Sequence, residues 1–120
     1  MKRAIWHGGK DIRIEEKELP KAAQQEVVVK VRAVGICGSE LHAFLGTSKR
    51  RVPPLVMGHE FAGEVAYIGD GVMSLKVGDR VAVQPIIGCG VCKACQRGEP
   101  NLCVDRKLLG LHTPGAFAEY

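Results

Sequence analysis

Four of the five cysteines stand at Cys89, Cys92, Cys95 and Cys103, in the pattern C-x2-C-x2-C-x7-C. The first three can be presented by one tight knuckle and the fourth by a returning loop, which suits the tetrahedral thiolate set of a structural zinc. Sulfur at every vertex leaves no open position for water or substrate, so such a metal would hold the lobe together and do no chemistry. Two other occupancies stand beside zinc. The cysteines could be unligated core residues. They could instead hold an iron-sulfur cluster, although the ferredoxin run C-x2-C-x2-C-x3-C-P is matched only in its first three cysteines, and Val104 follows the fourth.

The fifth cysteine offers different chemistry. Cys37 lies in Gly35-Ile36-Cys37-Gly38-Ser39-Glu40-Leu41-His42, and His59 lies in Gly58-His59-Glu60. A thiolate and an imidazole are two of the three protein ligands of an open catalytic zinc, whose remaining position admits a substrate oxygen. Taken singly, Cys37 also reads as a small core residue and His59 as a satisfied structural histidine.

The elements that must position these residues are mostly strands. Short β-branched runs at Ala4–His7, Ile12–Glu16, Val27–Val34, Glu60–Ile68 and Arg80–Gln84 are separated by turns such as Gly69-Asp70-Gly71 and Gly78-Asp79. In Val27–Val34 the alternation predicts one face of Val27, Val29, Val31 and Ala33 and another with Lys30 and Arg32 in its middle. One helix is predicted over Gly38–Leu45, with Ser39 as its cap and Gly46 as its terminator. From Gly88 to Cys103 apolar periodicity disappears, so residues 88–103 form a lobe that needs something other than a core to fold it. No internal repeat or linker divides the chain, and residues 1–120 read as a single domain.

The 120 residues include 46% hydrophobic side chains, enough for one core. No apolar run reaches the length of a membrane span, and the N-terminus lacks the pattern of a secretory signal, so a cytoplasmic location is expected. An odd number of cysteines suits metal ligation better than a disulfide framework. The formal charge of +4 is spread along the chain apart from Lys49-Arg50-Arg51, which argues against a nucleic-acid partner. Four zinc-bound thiolates would lower that charge by about two.

Five motifs occur together and in order. They are G-I-C-G-S-E-L-H around Cys37; G-H-E-x2-G-x5-G-x2-V from Gly58 to Val72; the Val77–Val81 turn; the four-cysteine lobe; and the closing Gly115–Tyr120. Together they resemble the medium-chain zinc-dependent alcohol dehydrogenases over essentially the whole chain. The stretch Leu108–Phe117 is similar to the polyol, sugar-acid and threonine dehydrogenase branches.

That resemblance implies a mainly β, GroES-like, partly open barrel with short helices and a zinc-binding lobe. It implies Cys37 and His59 as ligands of a catalytic zinc, with Glu60 able to approach the metal or its water. It also gives Ser39 a hydrogen bond to the substrate alcohol, and His42 the passage of the proton toward solvent. The position of Glu40 is usually an aspartate that orients the zinc-bound histidine, so the extra methylene must be accommodated or Glu40 must pair elsewhere. On their own, Ser39, His42 and Glu60 also read as a helix cap, a solvated helix face and a strand-edge carboxylate.

The activity implied is hydride transfer between a secondary alcohol or polyol and NAD or NADP. No G-x-G-x-x-G turn between strand and helix is present, so the dinucleotide site and the third zinc ligand would belong to a Rossmann domain outside these residues. The expectation is a zinc-binding fragment that is monomeric and inactive alone, from a homo-oligomeric enzyme. The alternative is a free-standing zinc-stabilised β module that binds protein or nucleic acid. It makes Ser39, His42 and His59 ordinary residues, whereas the enzyme reading requires them to converge around Cys37.

Overall fold

A computed structural model describes all 120 residues. In chain order the elements are β1 (Lys2–Gly8), β2 (Asp11–Glu16), β3 (Val27–Val34), α1 (Gly38–Phe44), β4 (Leu55–Val56), β5 (Phe61–Ile68), β6 (Arg80–Val83), β7 (Ile86–Ile87), α2 (Lys93–Gln96) and β8 (Lys107–Leu108). The fold is mainly β, as expected, and the five longer strands fall on the five β-branched runs. The two-residue strands and α2 are too short to leave a periodic signal.

Two antiparallel sheets, ordered β2-β1-β4 and β3-β5-β6, make up the body, and β7 pairs with β8 beside the cysteine lobe. The segment after β8 stitches the sheets together. Ala4 N–H donates to Phe117 O at 2.7 Å, and Glu119 N–H donates to Lys2 O at 3.0 Å. From the other sheet, Val31 N–H donates to Glu119 O at 2.9 Å. Backbone donors from both sheets thus meet one strap, which curls them toward each other as an open barrel.

The strand β3 departs from its expected faces. Val28, not Val27 or Val29, is the buried residue, and Ala33 and Val34 are exposed. Register irregularities between Val28 and Val29 and between Val31 and Ala33 break the pairing with β5. Each irregularity rotates the following side chains off the simple two-residue alternation.

The core is small. Trp6, Ala43 and Met57 form its centre, packed by Phe44, Leu55 and Phe117, so helix α1 is pinned to β1 and to the segment entering β5. Only 14 of 120 residues are buried, and Ile14 and Ile36 stand 68% and 78% exposed. A body of this size therefore leaves a broad apolar surface uncovered on the β1–β3 side, around Ile14, Val34, Ile36 and Phe117. No helix is long and apolar enough to cross a membrane.

Candidate metal centres

Helix α1 is capped two residues earlier than expected, at Cys37 and not at Ser39. Cys37, at φ −74° and ψ 152°, is the N-cap, and Ser39 is the second helical residue. Glu40, the third, bends back so that Cys37 N–H donates to its Oε2 at 3.0 Å. A carboxylate at this position satisfies an orphan amide of the first turn and lies favourably in the helix dipole. Gly46 ends the helix as expected, with φ of 73° and its N–H on Ala43 O at 3.0 Å.

His59 reaches the same point from the other side. Gly58 before it has φ of 94°, and a Cβ there would come within 2.7 Å of the Phe117 ring, so the approach of the His59 segment depends on glycine. Nδ1 of His59 lies 2.7 Å from Glu40 Oε1. Ligand atoms of Cys37, Glu40 and His59 all fall within 4.8 Å of one another. Both oxygens of Glu40 carry hydrogen bonds, and its Oε1 also receives Arg51 Nη2 at 2.8 Å. The set suits zinc: a thiol and the Nε2 of His59 are left to meet an ion, and Glu40 orients the imidazole through Nδ1. The extra methylene of Glu40 is accommodated by its return to the Cys37 amide.

The other residues singled out in the sequence divide. Ser39 sits beside this group, its Oγ 3.2 Å from Arg51 Nη2. His42 lies one turn further on the helix, exposed, with Nδ1 3.0 Å from Thr47 Oγ1. Glu60 is outside the gathered donors. It is exposed and precedes β5, its carbonyl accepts Gly35 N–H at 2.7 Å, and its carboxylate lies over Gly35. Arg51 is the residue that sequence reasoning missed. In the sequence it is the last residue of the one dense basic run, Lys49-Arg50-Arg51, yet it is 7% exposed, and nothing in its spacing marks it.

The cysteine lobe gathers as its spacing predicts. The sulfurs of Cys89, Cys92, Cys95 and Cys103 lie within 4.8 Å of one another, compared with about 3.8 Å between thiolates around a zinc at about 2.3 Å. That leaves room for one ion. Cys92 caps α2, and Cys103, fully buried, follows a 3-10 turn at Pro100–Leu102. Backbone amides of Val91 and Cys92, then the Cys103 thiol, bring the Cys89 pKa down to about 7. At Cys95 the Gly90 amide also pulls downward, but burial and the thiols of Cys92, Cys103 and Cys89 outweigh it and push the value up to about 11. Crowded thiols that cannot all ionise alone are the donor set a dication resolves.

Residues 23–120 match the alcohol dehydrogenase GroES-like domain. The chain belongs to this family. Sorbitol dehydrogenase of Bacillus subtilis is 47% identical over 126 residues, covering 100% of this chain and 35% of its own length. L-threonine 3-dehydrogenase of Caldanaerobacter subterraneus is 47% identical over 110 residues, covering 89% of this chain and 32% of its own. Among solved structures, the alcohol dehydrogenase rspB from Escherichia coli CFT073, complexed with NADH, superposes with a TM-score of 0.89 at 43% identity, covering 99% of this chain and 34% of that one. This GroES-like domain therefore spans about a third of the length of the relatives it matches.

Proposed function

We propose that the domain is the metal-binding and acid-base part of a zinc-dependent oxidoreductase that moves a hydride between a secondary alcohol or polyol and NAD or NADP. The observation that carries this reading is the meeting of Cys37, Ser39, Glu40 and His59 at one point, inside a domain whose relatives include sorbitol and threonine dehydrogenases. When bound by Cys37 and His59, zinc supplies Lewis acidity that makes a substrate alcohol a stronger acid. Glu40 keeps the imidazole in one orientation. Ser39 donates and accepts at the substrate oxygen, and His42, three residues on along the same helix, passes the proton to solvent. Glu60, at the mouth of β5, would act as an exchangeable ligand only by swinging its carboxylate away from Gly35 toward the metal. Cys89, Cys92, Cys95 and Cys103 hold a second zinc that folds their lobe and takes no part in the reaction.

NAD or NADP would be bound by a Rossmann domain in the remaining two-thirds of the relatives' length, which would also carry the oligomer contacts. Free cysteines throughout suit a reducing cytoplasm.

The test is turnover by the intact protein with NAD and NADP over a panel of secondary alcohols, polyols and threonine. Ser39→Ala is expected to lower kcat by about 10²–10⁴-fold, the usual range for losing an acid-base group. Cys37→Ser is expected to abolish turnover while the lobe zinc remains. Full activity in Cys37→Ser would refute the assignment.

A further inference from the structure

We propose that Arg51 is the positioning residue of the Cys37–His59 centre: its guanidinium holds Glu40 against His59 and turns the Ser39 hydroxyl into an outward donor. The inference rests on the function proposed above. A guanidinium leaves water at a high cost unless its donors are met, and four of the five N–H donors of Arg51 are met, from two segments. Nε donates to Gly110 O at 2.9 Å and Nη1 to Ser39 O at 2.9 Å. Nη2 donates to Glu40 Oε1 at 2.8 Å and to Ser39 Oγ at 3.2 Å. One planar fork thus ties the first turn of α1 to the Gly110 loop, and that loop lies against the backbone of Gly58, next to His59.

Two consequences follow from the donor inventory. Arginine only donates, and the Glu40 carboxylate only accepts. Oε1 of Glu40 is therefore shared by two donors, Arg51 Nη2 and His59 Nδ1. The 3.5 Å approach of Arg51 to His59 Nδ1 sets two donors side by side and holds no shared hydrogen. With its proton on Nδ1, His59 presents the lone pair of Nε2, the form a metal needs. At Ser39, Oγ must accept from Arg51, so its own hydrogen points elsewhere, toward the oxygen it would serve. A charge-assisted bond received at Oγ also polarises the hydroxyl as a donor. Lysine cannot reproduce this, because a single ammonium cannot meet Gly110 O, Ser39 and Glu40 in one plane.

The test uses the intact protein with zinc kept in the cysteine lobe and cobalt(II) as the probe at Cys37 and His59. Arg51→Lys and Arg51→Met are each expected to weaken cobalt binding by about 10–100-fold, the range for losing an outer partner of a metal-bound histidine. Both should also shift the cobalt visible bands and the ¹⁵N resonances of the His59 ring, while Arg51→Lys keeps its lobe zinc and a cooperative folding transition, at a lower midpoint. Wild-type affinity with unchanged spectra in both variants would overturn the inference. So would loss of both metals together with the folding transition in both variants, which would make Arg51 a structural residue only. A wild-type protein that takes no cobalt at Cys37 and His59 defeats the proposed function itself, and that result is read before any variant.

Discussion

Glu40 and Glu60 are both acids placed near candidate ligands, and only the folded chain separates their roles. Glu60 follows His59 directly, but at the entrance to β5 its carboxylate is directed over Gly35. Glu40 is 19 residues away in sequence and lies 2.7 Å from the imidazole. Sequence distance is a poor guide where a helix N-terminus and a strand entrance converge. Gly58 is the hinge of that convergence. Gly58→Ala would place a Cβ at positive φ and against the Phe117 ring, which costs about 1–3 kcal/mol of strain. The expected outcome is a lower thermal midpoint together with weaker metal binding at His59. A variant with an unchanged midpoint and unchanged binding would show that the segment has room to relax.

Among the elements, the lobe between β7 and β8 is the one that cannot fold through burial. Only Cys103 within it is fully buried, and Leu102 and Val104 face solvent. Its order is therefore expected to depend on its metal. Cys92→Ser should release the tightly held zinc and expose residues 88–103 to proteolysis, whereas Cys37→Ser should leave that zinc in place. Metal analysis with limited proteolysis checks both, and retention of lobe zinc in Cys92→Ser would contradict the assignment.

The paired strands β3 and β5 carry a simpler device, the exposed pair of Arg32 and Glu64 at 2.8 Å. The hydrogen bond from Arg32, then its charge, holds the Glu64 carboxyl below its ordinary 4.5. Because the folded state favours the carboxylate, the pair contributes stability above the ordinary value and loses it as pH falls through the lowered folded value. Glu64→Gln should accordingly lower the midpoint slightly near neutral pH, and the difference should close in acid. At this exposure the effect is small.

At the scale of the whole molecule, two sheets share one strap and a small core, and a large apolar face remains open beside Ile14 and Ile36. Since the domain spans about a third of the length of its relatives, residues 1–120 alone are expected to bind zinc as a monomer without oxidising alcohols in the presence of NAD or NADP. An activity assay, zinc analysis and sedimentation on that fragment check this. Zinc-dependent turnover by it would overturn the division of labour proposed here.

The sequence by itself determined what depends on local spacing and on residue type. The cysteine knuckle, the five longer strands and the terminator Gly46 were legible because a tetrahedral thiolate set, a two-residue alternation and a left-handed turn each constrain neighbours along the chain. Cys37 and His59 were legible only through the family resemblance, because a lone cysteine and a lone histidine carry no spacing signal of their own. Tertiary structure alone decided which acid faces His59, that Cys37 and not Ser39 caps α1, and that one arginine of a basic run is buried. Those outcomes depend on where α1, the Gly58 turn and the Gly110 loop meet. Arg51 is buried because partners from α1 and the Gly110 loop satisfy its guanidinium, and no spacing along the chain encodes that meeting.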